Sequence, residues 1–196
     1  IDMEHAPQDP MGMYHQLQAL GCAGTPAMIK LAINDPVAVQ RLLDMGAINY
    51  VVPMIQNAKQ AKEAVKLAKY PPLGTRGAPG IIRASRYGLY DDYFKRADDE
   101  ICMIMQIETV EALSNIESIS DVDGVDGILF GPGDIAADLG HLGTSGHPDV
   151  IERVSAAMKK LRTKKVPFGM SAVETDAEHW LSLGCNFVTI ANDMAL

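Results

Sequence analysis

Two acidic residues stand where a parallel α/β protein keeps its reactive groups. Glu108 follows the apolar run 101–107, and Asp134 ends the segment 131–134, which follows the apolar run 127–130. Near-continuous apolar runs are typical of strands buried on both faces of a parallel sheet, and reactive groups stand where such strands end. Two carboxylates that converge there repel each other unless a proton or a cation compensates. Oxygen ligands suit Mg²⁺ or Mn²⁺, so the pattern predicts a divalent metal site.

Five further polar residues lie at or near predicted strand ends. Gln106 precedes Glu108 by two residues, so both side chains point to the same face of an extended strand. Lys30 stands among apolar neighbours, where a charged side chain is unexpected. Asp2 and His5 lie at the end of what we interpret as the tail of a first strand, and Glu4, between them, is a further candidate at the same end. These residues are candidates for contacts with a substrate.

Each candidate also has an ordinary structural explanation. Glu108 can simply begin the helix that follows it, because acidic residues favour the first turn of a helix. Asp134 can be the N-cap of a short helix over residues 135–139. His5 can be a packed or solvated histidine, and Lys30 can be a solvated lysine. The pattern alone leaves these alternatives open.

A long segment, Pro71–Glu100, interrupts the alternation of helices and strands and carries a short predicted helix at 91–97. A loop of this length in a compact domain is usually functional. Its arginines either hold an anion or brace the loop through carbonyl groups: Arg76, Arg83 and Arg86. His141 and His147 lie in a second, glycine-rich segment, and we interpret them as surface loop residues.

The rest of the chain predicts strands that alternate with helices. The predicted helices are 36–45, 57–68, 109–119, 151–161 and 175–183, and the seven predicted strands are 1–3, 28–30, 47–53, 101–107, 127–130, 166–170 and 187–190. This alternation is typical of a parallel sheet, either open or closed into a barrel. Nucleotide-binding folds are disfavoured, because the chain has neither GxGxxG after a first strand nor GxxxxGK[ST].

The preferred fold is a (β/α)8 TIM barrel, which typically needs about 250 residues. The chain has 196 residues and starts with Ile1 rather than Met. A missing first strand–helix unit and a missing last helix would account for the difference. We therefore predict one barrel domain over residues 1–196 that is incomplete at both ends.

Composition narrows the function classes. The net charge is −8 and apolar residues make up 47% of the chain, which excludes intrinsic disorder and disfavours a nucleic-acid partner. No apolar run reaches the roughly 18–20 residues of a membrane span, so no membrane partner is expected. The three cysteines form no paired motif, and we interpret them as reduced, mostly packing thiols of a cytoplasmic protein.

Seven ordered motifs resemble those of the HpcH/HpaI aldolase family, the metal-dependent pyruvate aldolases, and together they span nearly the whole chain. They are Asp2-x-Glu4-His5-x-Pro7, Asn34-Asp35-Pro36, Val52-Pro53-Met54, Tyr70-Pro71-Pro72-x-Gly74-x-Arg76-Gly77, Arg83-Ala84-Ser85-Arg86, Gln106-Ile107-Glu108-Thr109 and Gly131-Pro132-x-Asp134. The resemblance implies a (β/α)8 barrel that forms a homo-oligomer, often a hexamer that exchanges its last helix. It also implies a carbon–carbon lyase that cleaves 4-hydroxy-2-oxo acids to pyruvate and an aldehyde through a metal-stabilised enolate.

The resemblance also implies roles for individual residues. Glu108 and Asp134 would be the ligands of Mg²⁺ or Mn²⁺, with Co²⁺ as a further candidate. Gln106 would contact the pyruvate moiety of the 2-oxo acid substrate, and the backbone near Gly133 and Asp134 would hold its carboxylate. Histidine titrates near working pH, which suits proton transfer.

Three catalytic residues complete this set: His5, Asp2 and Lys30. His5, oriented by Asp2, would assist proton transfer through a metal-bound water. Lys30 replaces the arginine that is usual in the family, and a flexible point charge differs from a rigid fork of donors. A Schiff base between Lys30 and the substrate ketone is therefore an alternative mechanism. Two further alternatives are a barrel that binds metal and keto acid with little turnover, and a citrate-lyase-like carbon–carbon lyase.

Overall fold

The structure is a computed structural model that describes residues 1–191, and those residues contain nine α-helices and six β-strands. They form two compact units. The first unit comprises Ile1–Val52 and Glu63–Met103, and the second comprises Pro53–Lys62 and the chain from Ile104 onward. No helix within residues 1–191 has both the length and the apolar character that a membrane span requires.

The first unit is built on two parallel strands. Its elements are α1 (Pro10–Cys22), β1 (Ile29–Lys30), α2 (Pro36–Asp44), β2 (Asn49–Val52), the second half of α3 (Ala58–Ala68), a 3₁₀ turn (Arg83–Ser85), α4 (Tyr93–Arg96) and the start of β3 (Cys102–Ile107). β1 pairs with β2 through Ile29 opposite Tyr50. The predicted first strand is reduced to a single parallel bridge between Asp2 and Lys30.

Helix α1 is an element that the sequence analysis missed. It starts at Pro10 after Asp9, whose side chain accepts a hydrogen bond from the Gly12 N–H. The same Asp-Pro signal begins α2, where the Asp35 side chain accepts hydrogen bonds from the first-turn backbone. An aspartate N-cap followed by proline is a recognised helix start. The signal for α1 was therefore present in the sequence.

The second unit carries four strands, each paired in parallel with the next. Its elements after β3 are α5 (Val110–Ser114), α6 (Ile116–Ser120), β4 (Gly127–Phe130), α7 (Pro132–Asp138), α8 (Pro148–Lys164), β5 (Phe168–Ser171), a 3₁₀ turn (Glu174–Asp176), α9 (Ala177–Ser182) and β6 (Phe187–Thr189). Ile107 lies opposite Phe130, and Phe130 lies opposite Met170. The ends of β3 and β4 are therefore neighbours in this sheet.

Two predicted helices differ from the structure. The predicted helix 109–119 is split into α5 and α6 at Asn115, whose side-chain amide donates to the Gln56 carbonyl. The helix predicted over 175–183 begins at Ala177 instead, as α9. The Thr175 hydroxyl contacts Asp176. The prediction of a missing last helix concerns the chain beyond Ala191 and lies outside the described residues.

Arg76 braces the long segment of the first unit. The Arg76 side chain is buried, and its Nη2 donates to Asp44 at 2.8 Å and to the Tyr93 hydroxyl at 3.1 Å. Its guanidinium also lies 4.4 Å from the centre of the Tyr70 ring. Burial, followed by the hydrogen bond with Tyr93, raises the pKa of Tyr70. Of the two alternatives for Arg76, the structure supports the bracing role.

The three cysteines are free thiols, but they differ in environment. Cys22 is exposed, which contradicts a packing role for it, whereas Cys185 is buried. Burial raises the pKa of the Cys185 thiol to about 11, and the nearby charge of Arg162 opposes this effect. A group that holds its proton more tightly in the folded state destabilises that state as the pH rises.

The stability of the protein should therefore fall between about pH 9 and pH 11, since the unfolded thiol releases its proton in this range and the folded thiol keeps it. The free energy of unfolding should drop by up to about 2–3 kcal/mol. Urea denaturation of the wild type and of Cys185→Ala across this range checks the effect. The wild type should show the steeper decline, and equal slopes would contradict the prediction.

Candidate active site

Glu108 is buried directly after the end of β3, where the backbones of Met54 and Gly131 lie beside its side chain. Its side chain is 2% exposed, and its Oε2 accepts a hydrogen bond of 2.9 Å from the Met54 N–H. Met54 has φ of 56°, a conformation that costs a non-glycine residue about 1–3 kcal/mol. Strain of this kind is concentrated at functional sites. The Met54 backbone thus orients one oxygen of the Glu108 carboxylate.

Gly131 lies against the side chains of both Gln106 and Glu108. A Cβ added at Gly131 would lie 2.9 Å from Glu108 Cγ and 3.2 Å from Gln106 Nε2, so only glycine fits beside both side chains. Gln106 is 3% exposed, and its Oε1 has no hydrogen-bond partner among the described residues. A buried amide oxygen without a partner is costly unless a ligand satisfies it.

Asp134 lies three residues beyond Gly131, in the first turn of α7. Its side chain is exposed. Gly133, in the same turn, has open space around the position of a Cβ. Since β3 and β4 are paired and Glu108 and Asp134 both follow their carboxyl ends, the two acidic residues belong to the same edge of the sheet.

The helix-start explanation fails for Glu108 and the N-cap explanation fails for Asp134, although Asp134 does occupy a first turn, where an acidic residue is favoured. Thr109 caps α5 by accepting a hydrogen bond from the Ala112 N–H, so Glu108 precedes the cap. Helix α7 begins at Pro132 with Gly131 as its N-cap, so Asp134 lies inside the helix rather than at its cap. A structural role at a helix start therefore does not explain why Glu108 is buried.

These residues fit a hard divalent cation. Carboxylate and amide oxygens are the ligands that Mg²⁺ and Mn²⁺ prefer. Glu108 supplies a buried carboxylate, Gln106 supplies a buried oxygen without a partner, and Gly131 leaves the space beside both free of a side chain. Asp134 adds a second carboxylate at the exposed side of the same strand ends.

Gly131→Ala should lower kcat/KM by about 10²-fold, because its Cβ must displace the side chains of Glu108 and Gln106, and a shift of about 1 Å at a reacting group can cost that much. Steady-state kinetics and Mg²⁺ titration measure the effect. Gly146→Ala is the matched control, since a Cβ there meets no atom within 4 Å. If Gly131→Ala had the same kcat/KM as the wild type, the space beside Gln106 and Glu108 would not be needed for activity.

The first unit holds the other predicted residues in a second cluster. Lys30 Nζ lies 2.6 Å from Glu4 Oε2 and 3.3 Å from His5 Nε2. Asp2 is buried, and its Oδ1 accepts hydrogen bonds from the backbone N–H groups of Glu4 (2.9 Å) and His5 (3.0 Å). Asp2 therefore shapes the turn that carries both side chains.

Lys30 and Glu4 both lie close to the imidazole of His5. His5 Nε2 lies 3.3 Å from Lys30 Nζ and 3.4 Å from Glu4 Oε2, so a donor and an acceptor both face this nitrogen. The His5 side chain is 54% exposed, so its imidazole is accessible to a molecule from solvent.

Comparison with known proteins shows the family to which this chain belongs. The sequence model of the HpcH/HpaI aldolase/citrate lyase family matches residues 1–196. The chain belongs to this family. The resemblance of the seven motifs is thereby confirmed. The matched range includes both groups of candidate residues: the Glu108 cluster (Gln106, Glu108, Gly131 and Asp134) and the Lys30 cluster (Asp2, Glu4, His5 and Lys30).

Three members of the HpcH/HpaI family illustrate the similarity. A 2-dehydro-3,6-dideoxy-6-sulfogluconate aldolase from Pseudomonas putida is 41% identical over 197 residues, which cover 100% of this chain and 77% of the relative. A 4-hydroxy-2-oxo-heptane-1,7-dioate aldolase from Escherichia coli is 41% identical over 198 residues, covering 100% and 76%. The crystal structure of a family protein from Burkholderia cenocepacia J2315 superposes with a TM-score of 0.95 at 33% identity, covering 100% and 79%. The parallel α/β fold of the family is therefore confirmed for this chain.

Sequence reasoning missed one contributor to the site, the backbone of Met54, and it named Glu4 as a candidate without its contact to Lys30. Met54 acts through its backbone N–H, and a backbone donor leaves no signal in residue type. Its position at the end of a predicted strand, in the motif Val52-Pro53-Met54, was the available hint. Glu4 contacts Lys30, and its place between Asp2 and His5 in the first motif was the corresponding hint.

Proposed function

We propose that this protein is a divalent-metal-dependent carbon–carbon lyase that cleaves 4-hydroxy-2-oxo acids to pyruvate and an aldehyde. The observation that carries the proposal is the buried Glu108 carboxylate, held by the Met54 N–H beside the buried and unpartnered oxygen of Gln106. Two relatives that are 41% identical are named aldolases, and one of them is named for a 4-hydroxy-2-oxo acid. Both lines support the same reaction class.

In this proposal Glu108 and Asp134 hold the cation, Mg²⁺ or Mn²⁺ with Co²⁺ as a further candidate. When bound there, the cation would supply Lewis-acid stabilisation of negative charge at the 2-keto group of the substrate. Gln106 binds the pyruvate portion through its amide. The backbone N–H groups near Gly133 and Asp134 receive the substrate carboxylate, because N–H groups in the first turn of a helix have no carbonyl partner within that helix.

His5 is the proposed base in the cleavage direction. Its imidazole takes the proton of the 4-hydroxyl group while the electrons of the C3–C4 bond pass toward C2 and its oxygen, and it returns this proton to C3 once the aldehyde has left. The aldehyde leaves, and protonation at C3 gives pyruvate. Asp2 positions the His5 backbone, and Lys30 Nζ lies 3.3 Å from His5 Nε2, so the ammonium group is beside the proposed base.

The contacts of Lys30 favour this scheme over a Schiff base. A Schiff base requires a neutral amine that attacks the ketone carbon. Lys30 Nζ forms an ion pair with the Glu4 carboxylate at 2.6 Å, which an attack on the ketone carbon would have to break. Lys30 therefore acts as a fixed positive charge in the proposed mechanism.

A chelator experiment tests the proposal. EDTA should abolish retro-aldol activity toward 4-hydroxy-2-oxo acids, and Mg²⁺ or Mn²⁺ should restore it. Borohydride added with pyruvate should not inactivate the enzyme. Covalent trapping on Lys30 would overturn the metal mechanism. Binding of metal and pyruvate without release of an aldehyde from any substrate would support a protein with little turnover instead.

Two finer points belong to the same proposal. We infer a single (β/α)8-type barrel domain, because all strand pairs given above are parallel and alternate with helices. We also infer a homo-oligomer, because the long segment of the first unit exposes large apolar side chains, with Ile81 79% and Leu89 80% exposed. Sedimentation equilibrium measures this association, and a monomer at all concentrations would contradict it.

A further inference from the structure

A cluster in the second unit brings two histidines and an aspartate together outside the Glu108 cluster. One potential ligand atom from each of His141, His147 and Asp149 lies within 4.8 Å of the others. His141 Nε2 is 3.1 Å from Asp149 Oδ2, and His147 Nδ1 is 3.8 Å from the same oxygen. Adjacent ligand atoms around a tetrahedral metal ion lie about 3–4 Å apart, given bond lengths near 2.0–2.1 Å.

Backbone hydrogen bonds hold this loop in place. The His141 N–H donates to the Ala136 carbonyl at 2.7 Å, the Thr144 N–H donates to His141 at 2.9 Å, and the His147 N–H donates to Thr144 at 3.0 Å. His147 is also the N-cap of the 17-residue helix α8, and Asp149 lies in its first turn. The three side chains thus project from ordered backbone, which lowers the entropy cost of binding an ion.

We propose that His141, His147 and Asp149 form a second metal site, which takes a borderline transition-metal ion such as Zn²⁺ rather than Mg²⁺. Two imidazoles and one carboxylate, with water in a fourth position, are a typical tetrahedral zinc ligand set. Mg²⁺ prefers an all-oxygen octahedral shell, which this cluster does not offer. The two sites of the protein would therefore differ in the metal that they select.

The present arrangement of the rings sets one condition for binding. The His141 and His147 rings are stacked, with centres 3.5 Å apart and planes 15° apart. Nitrogen lone pairs lie in the ring planes, so one ring has to turn before both can face a single ion. His147 Nδ1 also accepts the Asp149 N–H at 3.3 Å, a cap that metal binding through this nitrogen would replace.

The helix end sets a second condition. The amino end of α8 carries partial positive charge, which opposes a cation, and the Asp149 carboxylate offsets it. We therefore expect a metal affinity below that of a closed four-ligand zinc site. The proposal does not depend on the function of the Glu108 cluster, since the two clusters share no residue.

Isothermal titration calorimetry tests the proposal. The protein is first stripped of bound metal, then equilibrated with excess Mg²⁺, and then titrated with Zn²⁺. We expect one Zn²⁺ to bind per chain in the wild type and in Glu108→Gln. His141→Ala should weaken this binding at least about tenfold, as should His147→Asn, which retains a side chain able to cap α8. His179→Ala is the matched control and should bind like the wild type.

The readout with Co²⁺ distinguishes the ligands directly. Co²⁺ in place of Zn²⁺ should give the visible absorption of a tetrahedral nitrogen–oxygen site in Glu108→Gln, and His141→Ala should lose it. The proposal is overturned if no Zn²⁺ binds in excess Mg²⁺. It is equally overturned if the His141→Ala and His147→Asn variants bind Zn²⁺ as tightly as the wild type.

Discussion

Glu108→Gln should abolish measurable Mg²⁺ binding and lower kcat/KM by at least about 10³-fold, since a Lewis-acid metal contributes several kcal/mol to transition-state stabilisation. Glutamine retains the size of the side chain and can still accept the Met54 N–H, which now donates to Oε2 at 2.9 Å. The substitution therefore removes the negative charge while the local packing is preserved. Mg²⁺ titration and retro-aldol kinetics measure the two effects.

Thermal unfolding provides the structural control for this variant. In the absence of metal, Glu108→Gln should unfold at the same temperature as the wild type or higher, because a buried charge is costly to desolvate. Glu111→Gln is the matched control, an exposed acid in the first turn of α5, and it should keep full activity. If Glu108→Gln bound Mg²⁺ like the wild type, the metal assignment would be wrong.

Arg76→Ala should lower the free energy of unfolding by about 3–5 kcal/mol, the range for removing one partner of a buried ion pair. The Arg76 side chain is 1% exposed and its partner Asp44 is 19% exposed. Truncation leaves the Asp44 carboxylate without its cation and removes the donor to the Tyr93 hydroxyl. Chemical denaturation with urea measures the loss.

Arg96→Ala is the control for this prediction. Arg96 forms ion pairs with Asp92 and Glu100, but its side chain is 46% exposed. Exposed pairs of this kind contribute about 0–1 kcal/mol, so the control should lose little stability. A similar small loss for both variants would mean that Arg76 does not brace the long segment.

The positions of Glu108 and Asp134 followed from local sequence alone. Glu108 comes directly after one run of apolar residues, and Asp134 ends the short segment 131–134 that follows another; such runs form strands because their side chains have to be buried on both faces. The boundaries of β3 and β4 agree with the predicted runs within one residue. Helix starts were equally readable wherever an aspartate cap precedes proline, as at Asp35.

Motifs also carried the family, because seven short patterns in a fixed order are specific even when each one is weak. The sequence could not divide the residues of the segment 71–100 between an anion site and internal bracing. Arg76 is buried by Asp44, Tyr70 and Tyr93, and these contacts join residues that are distant along the chain. Periodicity and capping signals describe neighbours in sequence and contain no information on such pairs.

The sequence by itself thus determined the alternation of helices and strands from α2 onward, the family and the identity of the candidate ligands, but not α1. Only the tertiary structure decided how those ligands are held. The Met54 N–H reaches Glu108 across 54 residues of chain, and Gly131 is required because two side chains occupy the space of its Cβ. The same holds for His141, His147 and Asp149, which the backbone turns of one loop bring together. The physical reason is that strand and helix formation depend on local residue type, whereas a site depends on packing between distant segments.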